Sequence, residues 1–209
     1  MFIGHFGLGM ASKKISKLPS LAVIFMAVQF LDLLWPVFCL AGIESFQVEA
    51  GNTRLTPLNF THYPYSHSLL MAITWGFLFG LSYYFISKNK GASLLLGFLV
   101  LSHWLLDLLV HRPDLPLTPF SDFKAGFGLW NFPVIEIIIE AGLFIGGTFL
   151  YYKTTKPKKK IWFWSLIIFF AVIHLLNLLG PPPPSVKAVA WAGNLSWLFV
   201  LWAWWIEKE

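Results

Sequence analysis

The stretch LSHWLLDLLVHRPDLPL, residues 101–117, sets His103, Asp107 and His111 four residues apart in otherwise apolar sequence. On a helix, steps of four keep the three side chains on one face, drifting about 40° per step. Two imidazoles and a carboxylate on one face form a ligand set of the zinc type, or a proton relay. Other ionisable residues lie in equally apolar surroundings. They are Asp32 in QFLDLLWP, His67 in YSHSLL, Glu136 and Glu140 in PVIEIIIE, and His5 in the N-terminal GHFGLG.

The elements that must position these residues follow from composition. Of 209 residues, 57% are hydrophobic and only 12% charged, with a mean hydropathy of +0.68. Soluble domains carry about 25% charged residues, so this is the composition of a membrane protein. Apolar runs at 19–42, 66–87, 91–111, 129–152 and 160–180, with a Trp-rich run at 186–206, approach or exceed the length a span needs. That length is about 20 residues for roughly 30 Å of hydrocarbon. The expected fold is an all-α polytopic membrane helix bundle, a single integral membrane domain over residues 1–209 with about six transmembrane helices. For His5 to reach the depth of the other ligands, residues 1–12 must form a short buried helix, with Gly4, Gly7, Gly9 and Ala11 allowing close packing and Lys13 and Lys14 at the surface. Pro36 cannot donate to the Asp32 carbonyl, which predicts a bend beside that acid. The GPPPP run at 180–184 stops the fifth span. The single cysteine, Cys39, excludes a disulfide framework and a cysteine-based zinc motif.

Basic residues collect in alternate connections. Eleven lie in the N-terminal segment, the 87–91 and 152–160 loops and the tail, against four (Arg54, Arg112, Lys124, Lys187) in the others. The positive-inside rule then puts both termini in the cytoplasm and the longer loops, 43–65 and 112–128, outside. The Lys-rich TKPKKK at 155–160 accordingly needs no nucleic acid; membrane lipid headgroups are its expected partners. Counted at about 1.5 Å per residue, Asp32, His103, Asp107, His174, Glu136 and Glu140 fall in one slab in the outer half of the bilayer, with His67 and His111 at its rim.

Asp32, Asp107, Glu136 and Glu140 are four carboxylates in spans without Lys or Arg. Leaving one ionised and unpaired in hydrocarbon costs several kcal/mol. Protons, a wet cavity or metal ions can answer them. Histidines among the acids favour the metal, because neutral imidazole with carboxylate is a zinc-type set.

GHFGLG, the acid in QFLDLLWP, YSHSLL and SHWLLDLLVHRPDLPL together resemble the YdjM-type, LexA-binding, inner-membrane metal-dependent hydrolases of bacteria, over residues 1 to about 120. The order of ligands is also similar to that of zinc-dependent phospholipases C. The resemblance implies one Zn2+ held by Asp32, His67, His103 and Asp107, a second reached by His5 with Asp107, and a third by His111 with Glu136 and Glu140. Glu136 stands where those enzymes have a histidine, and their N-terminal tryptophan ligand is missing. Glu136 or Glu140 would serve as the catalytic base, and Arg112 and Tyr65 would hold a charged headgroup.

The function these readings point to is hydrolysis of a phosphoester or lipid-linked substrate at the outer face of a bacterial inner membrane. A proton- or metal-coupled transporter would use the same carboxylates and histidines. A scaffold locked by a metal would also account for them. Neither an inverted repeat nor a buried acid in the cytoplasmic half supports transport. The charge asymmetry makes a direct prediction. With Cys39 replaced by serine, single cysteines at Thr56 and Ser121 should react with impermeant maleimide from the outer face of intact cells, and labelling only from the cytoplasmic face would reverse the orientation.

Overall fold

The computed structural model describes residues 1–208. A ten-residue helix, α1 (Ile3–Ser12), precedes the first span. That span is two helices, α2 (Leu21–Val28) and α3 (Phe30–Leu40), meeting at 57°. A hairpin of β1 (Ser45–Val48) and β2 (Leu58–His62) follows, then a single helical turn, α4 (Pro64–His67). Two long helices come next, α5 (Leu69–Ser87) and α6 (Lys90–Val110). A short antiparallel pair, β3 (Leu115–Pro116) and β4 (Lys124–Ala125), leads to α7 (Pro133–Thr155) and α8 (Lys160–Leu179). The last span runs through α9 (Val186–Asn194) and α10 (Trp197–Glu207). Among the described residues five helices are long and apolar enough to cross a membrane, or six counting the bent α2–α3 pair as one span.

Local chemistry sets these boundaries. Ser20, Ser68, Asn89 and Ser185 each accept a hydrogen bond from the backbone N–H three residues on, which satisfies a donor left over at the start of α2, α5, α6 and α9. Gly180 ends α8 ahead of the prolines, as the run GPPPP requires.

Helix α1 is the short buried helix that the glycines anticipate, and it lies most extensively along α7. Gly7 and Gly147 face one another so closely that a Cβ on either would overlap the other helix's backbone. Phe6 is fully buried, with its ring 4.8 Å from Phe25, 4.3 Å from Phe170 and 5.9 Å from Phe199. One aromatic cluster therefore ties α1 to α2, α8 and α10. Outward-facing Phe77, Ile86, Ile161 and Leu179 are exposed, as expected where lipid is the solvent.

Three expectations need correction. The bend falls at Gln29, not at Pro36, which stays inside α3 with its ring against Gly193 of α9. Gln29 leaves helical geometry at φ −107°, ψ 8°, and the N–H of Asp32 does not close onto the Val28 carbonyl. Lys13 is buried rather than at the surface. Its Nζ lies 2.9 Å from Glu207, whose other oxygen accepts the Leu21 N–H at 2.7 Å, while the Tyr151 hydroxyl adds a bond of 2.9 Å. The two long connections are not plain loops either; each is pinned by a small strand pair, which a helical-period reading does not detect.

The α1–α7 contact predicts that Gly147→Leu will lower stability by about 3 kcal/mol, since backbone must move to admit the side chain. Gly146→Leu, at a position with nothing within 4 Å of its Cβ, should change it by less than about 0.5 kcal/mol. Thermal unfolding in detergent distinguishes the two, and equal behaviour would contradict this packing.

Candidate metal centre

The predicted ligands arrive from four elements: His5 from α1, Asp32 from α3, His67 from α4, and His103 and Asp107 from α6. They meet around the Asp107 carboxylate. One oxygen, Oδ2, lies 3.2 Å from His103 Nε2, 3.9 Å from His67 Nε2 and 4.0 Å from His111 Nε2. The other, Oδ1, accepts from the Met1 amine at 2.8 Å and lies 3.1 Å from His5 Nε2. Asp32 stands opposite, 3.4 Å from His67 Nε2 and 3.7 Å from His103 Nε2. The His5 and His103 rings stack at 3.8 Å, 2° from parallel.

Two overlapping sets of ligand atoms result, His5–His103–Asp107 and Asp32–His67–His103, each with all atoms within 4.8 Å. Both draw on His103, and its two nitrogens face different ways. Nδ1 lies 2.7 Å from the Val28 carbonyl, the group the break at Gln29 leaves open. A carbonyl only accepts, so Nδ1 carries a proton, and in the neutral ring Nε2 then presents a lone pair. That Nε2 is buried, has no hydrogen-bond partner, and faces two carboxylates. Lone pair against carboxylate oxygen is repulsive; a second ring proton, or a cation among them, makes the contacts favourable. The residues present therefore fit a zinc-type ion.

Two more imidazoles are oriented in the same way. His67 Nδ1 is 2.7 Å from Ser66 Oγ, which donates to Glu44 Oε2 at 2.6 Å. His111, the residue closing α6, sets Nδ1 2.8 Å from Asp114 Oδ1. The Tyr63 hydroxyl donates to that same oxygen at 3.1 Å. Burial, and then the Asp114 charge, push the Tyr63 phenol well above its ordinary range, so it remains a donor.

Among the described residues, the remaining predicted residues form no hydrogen bond or ion pair with Asp32, His67, His103 or Asp107. Glu140 accepts the backbone N–H groups of Phe2 and of Gly4, the latter at 3.0 Å, and so fixes the start of α1. Glu136 is buried with Oε2 unpartnered. Among the described residues no ion pair or hydrogen bond brings His111 to either glutamate; His111 turns to Asp107 and Asp114 instead. Arg112 is tied to the first hairpin, its Nη2 2.5 Å from Asn59 Oδ1 and its Nε 3.2 Å from Asp114 Oδ2. Tyr65 is exposed, its backbone N–H donating to Glu44 at 2.8 Å.

Sequence reasoning missed Glu44, Tyr63, Asp114 and the Val28 carbonyl. Asp114 was within reach, three residues beyond His111 in HRPD. Glu44 gave no signal, because it reaches Ser66 only after the intervening chain folds back as a hairpin.

A family model described as YdjM inner membrane protein matches residues 6–180, and the chain belongs to that family. No curated protein and no solved structure matches it.

The geometry predicts that zinc copurifies with the wild type. His103→Ala and Asp107→Asn should each retain less than about a tenth of it, with stability falling in parallel, because bound metal contributes folding free energy. Element analysis of protein purified without chelator makes the comparison. Metal-free wild type, equally stable with and without added zinc, would return the charge balance to protons.

Proposed function

We propose that this YdjM-family protein is a membrane-embedded, metal-dependent hydrolase acting on a phosphoester or a lipid-linked substrate at the outer face of the inner membrane. The observation that carries the reading is the unpartnered Nε2 of His103 facing Asp32 and Asp107 in a bundle interior. Asp32, His67, His103 and Asp107 would hold the ion, with His5 and His111 flanking it. When bound, a zinc-type ion supplies positive charge that polarises a phosphoryl oxygen and acidifies water.

The chain's own groups divide the remaining work. The Asp32 side chain is 34% exposed, whereas those of His103 and Asp107 are 0% and 4% exposed, so access comes from the Asp32 side. That asymmetry suits a catalytic site, which keeps one side open, better than a structural one, which is enclosed. Glu140 is engaged by the start of α1, which leaves Glu136, with a free buried oxygen, as the group to take up and release a proton. Arg112, steadied by Asn59 and Asp114, keeps donors at the rim for a phosphate, and Tyr65 offers an exposed ring. A substrate with an acyl chain would enter laterally, its chain in lipid and its headgroup under the hairpins.

The test is a screen of phospholipids, lysophospholipids and undecaprenyl phosphates with zinc-loaded protein in nanodiscs, following release of headgroup or phosphate. Glu136→Gln should lower turnover by about 100-fold or more while zinc content stays at the wild-type level. His67→Ala should lose metal and turnover together. Zinc-loaded protein that releases nothing from any of these lipids, yet carries zinc or protons across liposome membranes, would replace the hydrolase with a transporter.

A further inference from the structure

The connection between α3 and β1 sends one acid inward. Glu44 is buried at 3% exposure, and its three hydrogen bonds all converge on α4: Tyr65 N–H and Ser66 N–H to Oε1, each 2.8 Å, and Ser66 Oγ to Oε2, 2.6 Å. Ser66 is fully buried as well, and its hydroxyl oxygen sits 2.7 Å from His67 Nδ1. Because the carboxylate can only accept, the Ser66 proton points to Glu44, and the only hydrogen the Ser66 oxygen can then share with the ring is one that His67 Nδ1 donates.

We propose that Glu44 is a positioning residue which, acting through the Ser66 hydroxyl, holds the His67 proton on Nδ1 and so keeps the Nε2 lone pair aimed at Asp32 and Asp107. The inference rests on the metal-centre reading for its consequence, but the proton arrangement stands on the hydrogen bonds alone. A tie that merely anchored the hairpin would need the two backbone bonds and not the third. The third bond has a direction, and the direction decides which imidazole nitrogen can bind a cation. Metal-ligating histidines generally owe their orientation to such a partner, and its loss typically weakens binding 10- to 100-fold.

The direction can be reversed with almost no change of shape. In Glu44→Gln the amide keeps an oxygen for the two backbone N–H groups and places its NH2 against Ser66 Oγ. The hydroxyl must then donate to His67 Nδ1, which moves the ring proton to Nε2 and removes the lone pair from the centre.

The experiment uses the full chain in nanodiscs with [15N]histidine labelling, the His67 signals being assigned by comparison with His67→Gln. Metal-free wild type should show His67 protonated at Nδ1, and Glu44→Gln should show it protonated at Nε2. In competition with a zinc chelator, Glu44→Gln and Ser66→Ala should bind zinc about 10- to 100-fold more weakly, while Ser66→Thr, which retains the hydroxyl, should bind within about threefold of wild type. Thermal unfolding of the metal-free proteins separates misfolding from misorientation, and equal melting temperatures are expected for wild type and Glu44→Gln. An unchanged His67 tautomer in well-folded Glu44→Gln overturns the proposal, as does unchanged zinc affinity. Wild type that binds no zinc would defeat the metal-centre reading instead, and the tautomer shift would still decide whether the relay exists.

Discussion

A carboxylate at position 107 is carried into an apolar bundle with no lysine or arginine beside it, and the surrounding architecture answers that charge. An ionised acid left alone at such depth would cost several kcal/mol, a large part of any domain's net stability. Oδ1 is met by the Met1 amine and His5, so α1 must be buried rather than trail in water. Oδ2 is met by His103 of the same helix, with His67 and His111 near it, so α4 and the end of α6 must close over the same point. The broken first span follows from the same demand. A continuous helix through Gln29 would pair the Val28 carbonyl with the Asp32 N–H, whereas the break leaves that carbonyl to accept from His103 Nδ1.

The sequence announced the candidate ligands better than the groups that orient them. Helical spacing alone placed His103 and Asp107 on one face, because a step of four is a property of the backbone and needs no tertiary information. Apolar length gave the spans, and the glycines of GHFGLG gave the buried first helix, since only a residue without Cβ lets α1 approach α7 at Gly7 and Gly147. The position of the bend was legible only in part. Pro36 marked the correct span, but a proline's local strain was absorbed within α3 while the break occurred at Gln29, where a neighbouring helix takes the freed carbonyl. The grouping of His111 with Glu136 and Glu140 followed family order. In space, His111 joins Asp114, and Glu140 joins the start of α1.

The two strand-paired connections change what those segments are. They read as polar loops because their strands are four, five and two residues long, too short to show an alternating pattern. Folded, the first brings Glu44 under His67 and Asn59 onto Arg112. The second doubles back so tightly that a Cβ at Gly126 would strike the carbonyls of His111 and Arg112. Both connections act as buttresses for imidazoles that the spans alone would leave free to rotate.

The first helix leans almost wholly on parts of the chain made after it. Gly7 rests on α7, Phe6 on Phe170 and Phe199, and Lys13 on Glu207 near the far end of the sequence. A ribosome adding about 5–20 residues per second needs roughly 10–40 s to travel from one end of this arrangement to the other. Until α7 is made, α1 lacks the surface against which Gly7 packs, and until α10 is made, Lys13 lacks the Glu207 carboxylate.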